Sequence, residues 1–179
     1  MNARRARGFT LVELMAVVVI VGILAAVGVV TMRKYIFGSK SVEALSMIQA
    51  IRAAQERWRA ENQAYLDVSD TIDTWYPMEN KQPSSTYYSW GGGTSPLAGR
   101  WRLLNVSVSD RVQFGYTTKA GPAFTAMTPL SVANPPTWPV ANGPWYVIQA
   151  KGDANDDGVY SMFAASSLNG EVLRQNEGE

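Results

Sequence analysis

Seventeen consecutive residues, Leu14 to Val30, are apolar or glycine. Few chains can bury such a run inside a small fold, so it constrains everything else. From Phe9 to Met32 only Glu13 is charged, and as a helix this stretch measures about 36 Å, enough to cross a hydrocarbon core. A basic leader, MNARRARG, precedes it with Arg4, Arg5 and Arg7. Three readings compete. A secretory signal would be cut near Ala25 and Ala26, where small residues stand. A plain anchor would keep the leader arginines on the cytoplasmic side, although Arg33 and Lys34 on the far flank weaken that bias. The third reading turns on the order Gly8-Phe9-Thr10-Leu11-Val12-Glu13. A carboxylate costs about 2.5–3.5 kcal/mol at the centre of an inserted helix and less near an interface, so Glu13 needs a reason to be there.

GFTLVE after a short basic leader and before an apolar run resembles the N-terminal signature of type IV pilins and their pseudopilin relatives. The resemblance implies that a prepilin peptidase cuts between Gly8 and Phe9 and that the new N-terminal Phe9 is methylated. Glu13 would then be the fifth mature residue, offsetting the positive N-terminus of a neighbouring subunit in a filament core. The physics agrees, because a buried charge is costly alone and much less so when paired. One departure stands out: where many pilins place a proline near the twenty-second mature position, this chain has Val30. Gly22 and Gly28 are then the intrinsic weak points of the helix, each up to about 1 kcal/mol worse than alanine.

Composition removes other classes. The chain has no His and no Cys, which excludes His-dependent triads, thiol nucleophiles, redox pairs and His/Cys zinc sites. A net charge of +1 gives no basic footprint for nucleic acid. Losing the leader arginines leaves 13 Lys and Arg against 15 Asp and Glu. No pair of carboxylates in contrasting environments suggests acid–base catalysis, and Gly91-Gly92-Gly93 is not followed by the Lys-Ser/Thr of a phosphate loop. The expectation is a chain that is not an enzyme.

From Ser39 to about Tyr65 the positions Val42, Leu45, Ile48, Ile51, Ala54, Trp58 and Tyr65 form a helical stripe. Arg52–Glu56 and Arg57–Glu61 stand at i,i+4 spacing, the arrangement of exposed ion pairs. The break at Phe37-Gly38 is expected to be bridged, giving one helix of more than fifty residues. Residues 67–100 read as irregular, with Trp75, Tyr76, Tyr87, Tyr88 and Trp90 forming a satellite core that pins a long loop, or else an interaction surface. Strand signals begin at Trp101, with Leu104, Val106 and Val108, then Val112, Phe114 and Tyr116, linked by a turn at Ser109-Asp110. A proline-rich crossing follows, then Trp145–Lys151 as the strongest strand, and a hairpin of Val159–Ala164 with Glu171–Arg174. The expected fold is α+β: a long N-terminal helix against a small, mostly antiparallel C-terminal sheet, as the pilin resemblance also implies. Its organisation is a leader at 1–8, an apolar helix at 9–32, an amphipathic continuation at 33–66 and a head at 67–179.

One loop has metal-ligand spacing. Asp153, Asn155 and Asp157, with Gly158 behind them, match the first half of an EF-hand calcium loop. Val159 and Ser161 fall at positions 7 and 9, but position 12 is Ala164 where a bidentate Glu is required, so Asp156 or Glu171 would have to contribute. A solvated hairpin turn explains the same residues. The resemblance adds that pilins often secure the head with a disulfide, whereas major pseudopilins use calcium. No cofactor is required by the sequence, and calcium is the one candidate.

The reading is a structural subunit, pilin or minor pilin, of a type IV pilus. A pseudopilin of a type II secretion system is the alternative within the family, and a secreted or anchored binding module the alternative outside it. The implied partners are other pilin subunits, prepilin peptidase, the pilus or secretion assembly platform, and membrane lipid before assembly. The implied location is the inner membrane as a single-pass precursor, then an extracellular pilus or periplasmic pseudopilus.

Overall fold

The computed structural model of the chain describes residues 9–79, 81–108 and 111–178. They divide into two compact units, the first ending at Ile36 and the second starting at Phe37. Helix α1 spans Leu11–Asn62, so the helix bridges Gly38. It stops before the expected Tyr65. Gln63 takes a left-handed φ of 58° and its N–H donates to the Arg59 carbonyl (2.8 Å), closing the last turn.

In the second unit, helix α1 buries Ser41, Ala44, Met47, Ile48, Ile51, Ala54 and Gln55. Val42, expected in this stripe, is 62% exposed, because it lies about 120° round the helix from Ile48. Leu45 and Trp58 are half-buried at the edge of the core. Gln55 clasps the returning chain: its Nε2 donates to the Leu66 carbonyl (2.8 Å), and its Oε1 accepts from the Leu66 N–H (2.9 Å). The i,i+4 ion pairs do not form. Arg52 instead donates to the carbonyls of Asn169, Gly170 and Glu171, and Arg57 to those of Leu104 and Asn105. A backbone carbonyl fixed by tertiary structure out-competes a mobile exposed carboxylate.

A two-residue ribbon pairs β1 (Tyr88–Ser89) with β2 (Arg111–Val112), and helix α2 (Pro96–Leu104) lies between them in sequence. Helix α2 corrects the expected strand at Trp101. Ser95 caps it, accepting from the Ala98 N–H (3.1 Å), Pro96 occupies its first turn, and Asn105 ends it at φ 53°. The turn expected at Ser109-Asp110 lies outside the described residues.

The main sheet has four antiparallel strands in the order β3 (Gly115–Gly121), β4 (Trp145–Gly152), β5 (Ser161–Ser166), β6 (Val172–Gln175). Tyr116, Tyr146, Ile148, Ala150, Phe163 and Ala165 pack with the buried stripe of α1 and with Leu97, Trp101 and Leu104 of α2. The opposite set, Trp145, Val147 and Ala164, packs with Met127, Leu130 and Ala141 from the proline-rich crossing. Both faces are thus covered, and β5 is buried throughout. The expected aromatic satellite is part of the main core: Tyr76 stacks on Trp101 at 5.5 Å, and Trp90 meets both rings edge-on. Trp75 is also buried, whereas Tyr87 is exposed.

Candidate functional site

Within α1, Leu11–Val29 is long and apolar enough to cross a membrane, and none of it is buried by the rest of the chain. Every side chain from Phe9 to Val29 is exposed. Branched aliphatic residues in water on all sides of a helix are unstable, so this segment is completed by lipid or by other chains.

Its first turn is chemically distinct. Thr10 and Glu13 form a reciprocal capping box: Glu13 Oε2 accepts from the Thr10 N–H and hydroxyl, both at 2.9 Å, and the Glu13 N–H donates to Thr10 Oγ1 (3.2 Å). The arrangement satisfies helix donors that have no intrahelical partner. It also gives Glu13 a local role that spacing alone could have revealed, since Thr10-Leu11-Val12-Glu13 is the T-x-x-E pattern. Phe9 is exposed immediately before the cap. Gly8, the other half of the expected cleavage site, lies outside the described residues.

A second carboxylate on α1 does structural work that the sequence did not signal. Glu43 Oε1 accepts from the N–H groups of Gln113 (2.9 Å) and Phe114 (3.2 Å) and from the Tyr116 hydroxyl (3.1 Å). It fixes the entry to β3 against the helix. Burial pushes the Tyr116 hydroxyl well above its ordinary pKa, and the Glu43 charge adds to the effect.

The Asp153 loop sits between β4 and β5, held from below by the Phe114 ring against Gly152. A β-carbon at Gly152 would meet that ring at 2.5 Å. The side chains of the loop turn inward on its own backbone. Asp153 Oδ2 accepts from the Gly158 N–H (3.0 Å), Asn155 Oδ1 from the Asp157 N–H (3.1 Å), and Asp157 Oδ1 from the Val159 N–H (2.8 Å). Gly158 takes φ 83°. Asp156 points away, accepting from the Ser85 N–H (2.8 Å) and the Ser85 hydroxyl, and these bonds hold its carboxyl below the usual range. Ser161 Oγ donates to the Asn176 carbonyl, and Ala164 is buried in β5. Among the described residues no three His, Cys, Asp or Glu side chains are grouped for a metal. One donor is left over: Asp153 Oδ1 is buried without a hydrogen-bond partner. The donor set therefore makes a closed turn with one spare carboxylate oxygen.

The long apolar helix and the small antiparallel sheet are consistent with a pilin-like α+β fold. Residues 3–29 match the family model described as the prokaryotic N-terminal methylation motif. It is similar to the type IV major pilin protein PilA of Myxococcus xanthus, 43% identical over 68 residues, which are 38% of this chain and 31% of that protein. It is also similar to the type II secretion system core protein G of Pseudomonas aeruginosa, 37% identical over 87 residues, 48% of this chain and 61% of the relative. A fimbrial protein of Pseudomonas aeruginosa is 36% identical over 72 residues, 40% of this chain and 47% of that protein. The matches span between about a third and somewhat under two thirds of these relatives' lengths. No solved structure matches the chain significantly.

Proposed function

We propose that the chain is a structural subunit of a type IV pilus, pilin or minor pilin, that assembles through Leu11–Val29. The observation that carries this reading is an apolar helix with no side chain buried by its own fold, in a chain carrying the N-terminal methylation motif. The precursor sits in the inner membrane, a prepilin peptidase cuts between Gly8 and Phe9, and Phe9 is methylated. The new amine then lies at the positive end of the helix dipole, where the Glu13 carboxylate offsets it. Buried among other subunits, Glu13 pairs with a neighbour's N-terminus as well as capping its own helix. Glu13→Gln separates the two roles, because Gln retains the cap and loses the charge. Filament yield is expected to collapse in Glu13→Gln, and assembly at the parent level would rule out the charge role. Mass spectrometry of sheared surface filaments supplies the broader test. A methylated Phe9 peptide abundant there supports a pilin, confinement to the envelope supports a pseudopilin, and a mature N-terminus near Val27 overturns both.

A second reading is favoured by the spare Asp153 Oδ1. In this reading Asp153, Asn155 and Asp157 hold calcium, which locks the β4–β5 turn in a head without a disulfide. A melting temperature that rises with added calcium and falls on chelation supports it. An unchanged melting curve overturns it.

A further inference from the structure

Three steps among the described residues place a glycine directly after Asn or Asp: Asn142-Gly143, Asp157-Gly158 and Asn169-Gly170. Such a step can react with itself, because a glycine has no β-carbon to shield its backbone nitrogen from the preceding side chain. Reaction requires that nitrogen and the side-chain carbonyl carbon to meet in a near-attack geometry. It therefore depends on what else holds the two residues, and the fold treats the three steps differently.

Gly158 donates its N–H to Asp153 Oδ2 (3.0 Å), and Asp157 Oδ1 accepts from the Val159 N–H (2.8 Å). Asn169 sits in the β5–β6 turn, where Ser166 Oγ donates to its Oδ1 (3.4 Å). Arg52 donates to successive carbonyls there, those of Asn169 (3.3 Å), Gly170 (2.9 Å) and Glu171 (3.0 Å). A main chain gripped at adjacent peptide planes cannot swing to bring the Gly170 nitrogen onto the Asn169 side chain. Asn142-Gly143 is held by none of these devices. Asn142 is exposed, and among the described residues neither its side chain nor the Gly143 N–H has a hydrogen-bond partner. A β-carbon built on Gly143 would meet nothing within 4 Å, so this step also has room to turn.

We propose that Asn142 is a site of enzyme-free modification, at which the folded chain converts its own amide to a carboxylate. The Gly143 nitrogen attacks Asn142 Cγ, forming a C–N bond and closing a cyclic imide. The bond from Cγ to the side-chain nitrogen breaks, and that nitrogen leaves as ammonia with the proton of the Gly143 N–H. Water then adds to either imide carbonyl and opens the ring, leaving Asp or its isoaspartyl isomer. Nothing is oxidised or reduced, and water is the co-reactant. The product places a carboxylate within Ala120–Ala150, a stretch that otherwise carries no charge. The isoaspartyl form also adds a carbon to the main chain beside Ala141, whose carbonyl accepts from the Phe124 N–H (2.8 Å). The inference goes beyond the filament reading and does not depend on it.

The test incubates the purified full-length chain in detergent at mildly alkaline pH. Tryptic peptides are then compared with those of an unincubated sample by mass spectrometry. Asn142 falls in the peptide Ala120–Lys151 and Asn169 in Gly152–Arg174. Asn134 shares the first peptide and precedes Pro135, which has no N–H to attack with, so it is the internal blank. Conversion of amide to acid is expected to accumulate at Asn142 several-fold faster than at Asn169, and not at Asn134. Gly143→Ala, which the open space accommodates, is expected to lose most of it. Unfolding the chain in urea is expected to bring Asn169 up to the rate of Asn142. No conversion at Asn142 in the folded chain, equal conversion at Asn169 there, or undiminished conversion in Gly143→Ala overturns the proposal. Asn169 lagging as far behind in urea also overturns it, because the difference would then lie in local sequence and not in the fold.

Discussion

The two halves of α1 are one helix under two solvents. From Leu11 to Val29 every side chain is exposed, whereas from Ser41 to Gln55 a narrow stripe is buried against the sheet. The first half has no polar face, so nothing in it selects one side for packing. The second alternates apolar with polar residues at helical period, and its own fold reads that pattern. Hydrophobicity alone thus does not say what buries a helix. Its distribution around the axis does, and a uniform distribution points to burial by partners outside the chain.

The sharpest way to break this comparison uses the same substitution in both halves. Ile51→Ala empties a fully buried site and is expected to cost the head about 2–5 kcal/mol, read as a large drop in the thermal midpoint by near-ultraviolet circular dichroism. Ile20→Ala, exposed in the first half, is expected to leave that midpoint within about 0.5 kcal/mol. Equal losses would mean that the apolar half folds as part of the head.

Next in size is Glu43. Glu43→Ala leaves the N–H groups of Gln113 and Phe114 without their acceptor and is expected to cost about 2–3 kcal/mol in a urea titration. Glu43→Gln keeps one acceptor oxygen and should recover part of the loss. Glu13→Ala, the corresponding change in the first half, is expected to leave the head's urea midpoint unmoved, since among the described residues Glu13's side chain bonds to Thr10 alone.

The head also has an alkaline limit that the apolar half lacks. Burial raises the Tyr116 hydroxyl well above its ordinary pKa and pushes Tyr146 up to about 12. In the unfolded chain both ionise near pH 10. Between that pH and the folded value the unfolded state holds fewer protons, so stability falls as pH rises. The contribution is fully present below about pH 10 and is lost above it. Tyr146→Phe is expected to flatten the decline in melting temperature over that range, and an unchanged slope would show that Tyr146 is solvated in the folded state.

How much of this was legible in the sequence differs between the halves. The apolar helix is legible from a run of residues alone, whereas its cap, though local as T-x-x-E, enters with the Thr10–Glu13 bonds. In the head, the strand Trp145–Lys151 and the β5–β6 hairpin were visible from periodicity. Helix α2 was not, because Leu104, Val106 and Val108 alternate like a strand, and the local signal against a strand is the Ser95-Pro96 cap further upstream. The roles of Glu43 and Gln55 were beyond reach, since their partners lie 70 and 11 residues away and only the tertiary fold brings them together. The Asp153 loop shows a further limit. Residue types that can ligate a metal are also those that close a turn, and spacing does not separate the two uses.

The smallest effect tests whether local or tertiary partners govern the exposed residues of the second half. Spacing along the helix pairs Arg57 with Glu61, and a pair of that kind is worth only a few tenths of a kcal/mol, shared by both partners. The fold instead directs Arg57 Nη2 to the carbonyls of Leu104 (3.0 Å) and Asn105 (2.9 Å), where it caps the C-terminal end of α2 with a positive charge. The two arrangements predict different asymmetries. If the i,i+4 pair mattered, Arg57→Ala and Glu61→Ala would destabilise alike. With Arg57 serving α2, Arg57→Ala is expected to cost about 1 kcal/mol and Glu61→Ala to stay within about 0.5 kcal/mol of the parent. A double variant that costs no more than Arg57→Ala alone would show that Glu61 contributes nothing, leaving the helix to be held at this end by the strands and loops it packs against.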